Sequence, residues 1–305
     1  MRAWRTTFAI LGLTVLGAPA FGANPGRPGA VNYVEGAAYL DGQPLNNRNV
    51  GGLTMNAGEE LTTAAGKAEV LLTPGVYLRV DDRSAVKMIS PDLALTQVEV
   101  DRGRAGVEVD QLFPQNDVQI VDGGVTTQLV KTGYYEFDAN HFNGDGPEAM
   151  VFKGRAEVEI GDGKYEAVKS HHEVALVQDA HLKTVNFDAH GTGDDLYNWS
   201  SLRSQYLAEA NNQIAGEYAY GPGFYPGWYW DPYAWDYTFI GANPFFSPFG
   251  WGFYPWGGFY GGGFYGRGFY RAGAYRHRFY GGFHGHPGYG FRGGAGSFHG
   301  SGGHR

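Results

Sequence analysis

Leu61-Thr62-Thr63-Ala64-Ala65-Gly66-Lys67-Ala68-Glu69-Val70-Leu71-Leu72-Thr73, then Pro74-Gly75, then Val76-Tyr77-Leu78-Arg79-Val80-Asp81, is the stretch that decides the fold. Apolar and polar residues alternate from Lys67 to Thr73, Pro74-Gly75 turns the chain, and the alternation resumes at Val76. Side chains on a strand point to opposite faces with a period of two, so this reads as two strands joined by a turn. The same period recurs at Gln97–Asp101, Gly106–Asp110, Val118–Val121, Ala149–Phe152, Glu157–Ile160 and Glu173–Val177. Repeated short runs of this kind, separated by turn residues, predict an all-β sandwich or jelly-roll-like domain over residues 31–177. One face of each strand is expected to pack and the other to meet water.

Working outward, a phrase repeats. Gly66-Lys67-Ala68-Glu69-Val70 returns as Gly103-Arg104-Ala105-Gly106-Val107 and as Gly154-Arg155-Ala156-Glu157-Val158. Each glycine is expected to make a hairpin turn just before its strand. Next comes one amphipathic helix, predicted over 194–212. Asp194 and Asp195 sit where carboxylates cap exposed N–H groups. Leu196, Trp199, Leu202, Tyr206 and Ala210 follow at spacings of three and four, with Arg203 and Glu209 off that stripe. The stripe, led by Trp199, is expected to dock on the β domain.

From Gly216 the composition changes. About thirty of the chain's 48 Phe, Tyr and Trp residues lie beyond it, with almost no aliphatics, and Gly-Phe-Tyr recurs from Gly252, Gly258, Gly263 and Gly268. A chain of glycine and aromatic residues without Leu, Ile or Val cannot fill a conventional core, so 216–305 reads as a low-complexity, largely disordered tail. Residues 216–256, which carry prolines, are expected to pack in part as aromatic turns. At the other end, Arg2 and Arg5, the apolar run Phe8–Leu16, and small residues at Ala18-Pro19-Ala20 or Ala20-Phe21-Gly22 read as a signal peptide over 1–22. No later segment is apolar for long enough to cross a membrane, so no transmembrane span is expected in the mature chain. The reading is of an exported protein of the periplasm or cell envelope. It contains no cysteine, which leaves packing and hydrogen bonds to stabilise it.

The run Leu61–Leu72, followed by Pro74-Gly75-Val76 and Ser84-Ala85-Val86, resembles the core signature of the FecR domain. Gly36–Leu40 resembles that domain's opening strand, and Gly103–Ala105 and Gly154–Ala156 its later ones. The resemblance covers about half the chain. It implies a periplasmic sensory β domain of the kind that relays a receptor's state to an extracytoplasmic-function sigma factor. This sequence departs from that pattern, showing neither a cytoplasmic sigma-binding segment nor a membrane-spanning helix ahead of the β domain.

Net charge is −8, and every acid lies at or before Asp236, so the front is acidic and the tail weakly basic. An acidic folded domain repels phosphate backbones, and nucleic acid is excluded as its partner. No catalytic motif stands out. There is no Gly-x-Ser-x-Gly, His-Glu-x-x-His or phosphate loop, and cysteine chemistry is impossible. His171-His172 reads as a hairpin edge, because neighbouring strand residues diverge. Asp138, Asn140, Asn143 and Asp145 read as a polar loop whose spacing breaks the calcium-loop pattern. Glu99, Asp101, Glu108, Asp110, Glu157 and Glu159 read as a solvated acidic face, and the tail histidines His277, His284, His286, His299 and His304 lack the fixed geometry a selective metal site needs. No catalytic residue, cofactor or metal is expected.

Three readings follow. The first is a non-catalytic binding or signal-related module whose partner, an envelope protein or polysaccharide, meets the sheet face around Tyr77, Arg79 and Lys87. The second is a structural, adhesive protein acting through its Gly-Phe-Tyr tail, with self-association through that tail. The third, an enzyme on envelope glycans, has only exposed carboxylates in its favour.

Overall fold

The computed structural model describes residues 26–46, 50–140, 146–161, 163–177, 182–189, 193–219 and 224–255. The leader, the tail beyond Pro255, and Asn143 and Asp145 lie outside them. Fifteen strands form one sheet: β1 (Val31–Leu40), β2 (Gln43–Pro44), β3 (Glu60–Leu71), β4 (Val76–Val80), β5 (Ala85–Pro91), β6 (Leu95–Arg102), β7 (Arg104–Val109), β8 (Asp117–Asp122), β9 (Val125–Leu129), β10 (Gly133–Asp138), β11 (Glu148–Lys153), β12 (Arg155–Glu159), β13 (Tyr165–Lys169), β14 (His172–Ala175) and β15 (Thr184–Asn186). One helix, α1 (Asp195–Ala219), follows. Two hairpins close the described chain, β16 (Gly227–Asp231) with β17 (Asp236–Ile240) and β18 (Phe245–Phe246) with β19 (Gly252–Phe253). The fold is all-β and sandwich-like, as the alternation predicts, with a single helix among the described residues.

The sheet runs β13-β12-β9-β8-β6-β5-β3-β4-β7-β10-β11-β14-β15, and its pairs are antiparallel except for parallel β6 and β8. Strand β3 joins its two halves. Glu60–Thr62 pair with β5, while Ala68–Leu71 pair with β4. Along its other edge β3 pairs with β1 throughout, and the register shifts between Gly36 and Ala38. Gly66 lies opposite Gly36 at that shift. A Cβ on Gly66 would fall on the backbone of Glu35 and Ala37, so two glycines are what let the strands cross this closely. Gly66 is thus a mid-strand glycine at a bend and not the turn residue that the repeated phrase suggested. Gly103 (φ 70°) and Gly154 (φ 108°) do turn hairpins as expected.

The two halves share one core. Val98, Val100, Val118, Ile120 and Val158 from one half pack in the same cluster as Leu78, Val80, Val107, Val109, Tyr135 and Phe137 from the other. The second face of the β4, β7 and β10 region does not meet water. All five residues of β4 are buried, as are Glu108 on β7 and Tyr134 and Glu136 on β10. Over this face lie α1 and the β16–β17 hairpin, in a second cluster formed by Leu71, Tyr77, Leu207, Ala208, Trp228, Tyr237, Phe239 and Phe253. The β-strand region therefore carries a third layer, which the one-face-wet expectation missed.

The boundaries shift accordingly. Helix α1 starts where the carboxylates predict, with the Tyr197 amide donating to Asp194 Oδ1 (2.9 Å). It then continues past residue 212 to Ala219. Residues 224–255, assigned from sequence to the disordered tail, form the two hairpins. The partial aromatic packing expected for 216–256 holds for these residues.

Gly66→Ala is expected to lower the free energy of unfolding by about 2–4 kcal/mol, because backbone must move to admit the methyl group. Gly42→Ala, where φ is 74° but a Cβ meets open space, serves as the contrast. It should cost about 1 kcal/mol from conformational strain alone. Urea titration of both variants checks the order.

Candidate functional site: a buried charged interface under the helix

Glu69 on β3, Tyr77 and Arg79 on β4, Glu108 on β7, and Tyr134 and Glu136 on β10 share the covered face. Period two puts the opposite set, Val70, Leu78, Val107 and Tyr135, in the main core. Glu69 is the hub. Its Oε1 accepts from Asn32 Nδ2 and Arg203 Nη2, each at 2.9 Å, and its Oε2 accepts from Arg79 Nε at 3.0 Å. Arg79 also pairs with Glu108 at 2.5 Å, and Glu108 Oε1 accepts from the Ser204 hydroxyl at 2.6 Å. Arg203 reaches on to Asp236 Oδ2 at 2.9 Å and lies 4.0 Å above the Tyr33 ring.

Two further ties flank this hub. The Tyr134 hydroxyl bonds Glu136 (2.8 Å) and Ser200 (3.0 Å). Gly106 makes room for it, since a Cβ there would strike the Tyr134 hydroxyl. Arg104 pairs with Glu136 at 2.6 Å and with the helix-capping Asp194. On the hairpin side, Asn32 Oδ1 accepts from the Tyr237 amide (2.7 Å) while its Nδ2 donates to the Tyr237 carbonyl (3.0 Å). Thr238 donates to the Leu207 carbonyl (2.7 Å), and Asn211 donates to the Phe239 carbonyl (2.9 Å).

Burial and pairing compete in setting the protonation states. For Glu69, burial pushes upward, but Arg203 and Arg79 with their hydrogen bonds hold the carboxyl below its ordinary value. Asp110 is pushed well above the carboxylate range by burial first and by Glu108 second, which outweigh the opposing pull of Arg79. Burial, reinforced by Asp194 and opposed by Arg104, raises Glu136 to about 7. Burial also raises Asp236 to about 6 against the pull of Arg203. Arg79 and Arg203 stay charged: burial works against the cation, but the surrounding carboxylates outweigh it and raise both.

The expected contact surface is corrected here. Tyr77 and Arg79 are fully buried beneath the third layer, with the Tyr77 hydroxyl accepting from the Phe239 amide at 3.2 Å. Lys87 is half-buried on β5, in the other half of the sheet, in register with Glu60 and Glu99. The three do not form one surface. Glu108 and Asp110 also leave the acidic face on which they were placed, whereas Glu99, Asp101, Glu157 and Glu159 keep partly or fully exposed positions. On α1, Leu202 and Tyr206 of the predicted stripe face outward at 40% and 50% exposure, and Arg203 lies inside. Trp199 does dock, donating to Glu35 at 3.0 Å. His171 sits at a turn with φ 64° and His172 on β14, the hairpin edge expected of them.

No family model and no curated protein matches the chain. Among solved structures, two chains described as candidate anti-sigma factors from Parabacteroides distasonis are similar. One has 14% identity and a TM-score of 0.36, covering 43% of this chain and 61% of its own. The other has 11% identity and a TM-score of 0.35, covering 48% of this chain and 64% of its own. This chain thus spans less than two thirds of either one's length, and the FecR resemblance stands on its sequence phrases alone.

Arg79→Ala removes one partner from two buried carboxylates and is expected to cost about 3–5 kcal/mol. Arg102→Ala, at an exposed position, should stay within about 0.5 kcal/mol of the parent. Denaturant midpoints distinguish the two.

Glu136 and Asp236 titrate higher in the folded than in the unfolded chain, so the folded form keeps protons that the unfolded chain has released. Their contribution falls as pH rises from 4.5 to about 7 for Glu136 and from 3.8 to about 6 for Asp236. Glu136→Gln should flatten the decline in stability between pH 5 and pH 8, read as urea midpoints at the two pH values.

Proposed function

We propose that this chain is a non-catalytic, exported envelope module that acts by binding, as the FecR resemblance implies. The observation that carries this reading is where the convergent ionisable groups lie. Glu69, Arg79, Glu108, Arg203 and Asp236 are each less than 5% exposed, under α1 and the hairpin. A catalytic group has to touch its substrate. Here the charges hold one layer of the protein onto another. Export is supported by the basic start, the short apolar run and the small residues near 18–22. The partner surface belongs to exposed positions, and Tyr77 and Arg79 are withdrawn from it.

The mature protein is expected in the periplasmic fraction, beginning after residue 20 or 22, and it should bind an envelope component saturably without converting it. N-terminal sequencing, co-sedimentation with purified envelope polysaccharide, and product analysis of the same incubation make the test. An intact leader on a cytosolic product, or steady release of glycan fragments, would overturn the reading.

A second reading, adhesion through the tail, is favoured by the rings that the hairpins leave outside. Tyr225, Tyr233, Trp235 and Phe246 are 63–76% exposed. Because residues 26–255 make every contact described above, deletion of 257–305 isolates the tail without stripping the third layer. Envelope association that survives this deletion unchanged would exclude the adhesive reading.

A further inference from the structure

Of the chain's five Gly-Phe-Tyr phrases, at Gly223, Gly252, Gly258, Gly263 and Gly268, the one at Gly252-Phe253-Tyr254 lies wholly within the described residues, and each of its residues has a role there. Phe253 is 1% exposed and stacks on Phe245 at 4.8 Å and 10° in the cluster containing Leu207, Ala208 and Phe239. The Tyr254 amide donates to Asn211 Oδ1 at 2.8 Å. The Tyr254 ring folds back over Gly252, where a Cβ would lie 2.7 Å from its hydroxyl oxygen. Glycine clears the space, phenylalanine fills the pocket, and the tyrosine amide meets a helix side chain that also holds Phe239. Just ahead of the phrase, Trp251 Nε1 donates to the Ser201 carbonyl at 2.9 Å.

The sequence repeats these three letters at Gly258, Gly263 and Gly268. Each chain therefore has this pocket, filled by its own phrase at Gly252, and three further copies of the phrase downstream of it. We propose that this pocket, formed by α1, β17 and β18, is a receptor for the Gly-Phe-Tyr phrase, and that the later phrases of one molecule dock in the pocket of a second copy. The proposal rests on the adhesive reading of the tail and supplies its receptor. Exchange of one phrase for another conserves the contacts made, as in domain swapping, so concentration and the number of spare phrases decide the outcome. Charge favours the encounter. After Asp236 the chain carries six arginines, no lysine and no acid, whereas the whole chain is −8. A basic tail thus approaches an acidic neighbour.

The absence of native cysteine makes a clean test. Gly257 precedes the phrase at Gly258 as Trp251 precedes the phrase at Gly252, so it should arrive beside Ser201. Full-length mature chains carrying only Ser201→Cys are mixed under oxidising conditions with chains carrying only Gly257→Cys. Ser201→Cys preserves the carbonyl that Trp251 uses. The disulfide-linked heterodimer, identified by mass, is expected roughly tenfold above a mixture of Ser201→Cys with Ser297→Cys, because docking raises the local thiol concentration. Adding Phe259→Ser to the Gly257→Cys chain should return the yield to that background. A yield no higher than the control, or one indifferent to Phe259→Ser, would overturn the proposal. Either result leaves the binding-module reading standing, since leader cleavage and saturable binding judge that one.

Discussion

The carboxylate of Glu69 is the constraint from which the outer layer follows. It sits at zero exposure and accepts from Asn32, Arg79 and Arg203, side chains on β1, β4 and α1. An isolated carboxylate could not remain ionised there, because taking it out of water costs several kcal/mol even after relaxation. With three donors it stays charged, and each donor is in turn fixed by a second partner. The sheet face is therefore polar by design, and only a helix whose own inner face is polar can lie on it. Ser200, Arg203, Ser204 and Asn211 supply that face, interleaved with Leu196, Leu207 and Ile214.

This explains what the sequence showed and what it concealed. The strands were legible because their inward positions are Val, Leu and Ile at a period of two, and the hairpin glycines 103 and 154 and the Asp194 cap follow from local chemistry. The buried network was not, because an alternating Glu, Arg or Tyr on a strand looks the same whether water or a helix covers it. The helix stripe misled for the same reason. Leu202 and Tyr206 suggest an inward apolar face only if the surface to be matched is apolar, and here it carries Glu69, Arg79 and Glu108. A usable signal did exist. Charges of opposite sign lie at the same face on adjacent strands, and small polar residues recur at helical spacing in Ser200, Ser204 and Asn211.

The glycine and aromatic composition after Gly216 hid a second point. Residues 224–255 lack aliphatic filler except Ile240, yet they order by pairing backbone groups with buried side chains. Tyr237 is held by Asn32, Phe239 by Tyr77 and Asn211, and Tyr254 by Asn211. Aromatic rings then close the space between. Low complexity here describes the alphabet used, and the host surface supplies the specificity that the segment itself lacks.

Asn32 ties Tyr237 across 205 positions of sequence. Ribosomes deliver β1 first and β17 long afterwards, so the early strands must wait with Glu69 and Arg79 open to water until the hairpin emerges. Pairings between such distant parts of a chain form slowly, because a long loop must close before they are rewarded. Closure of this seam is thus timed by the β16–β17 hairpin. A nascent chain halted before that point would expose the charged seam for as long as the halt lasted.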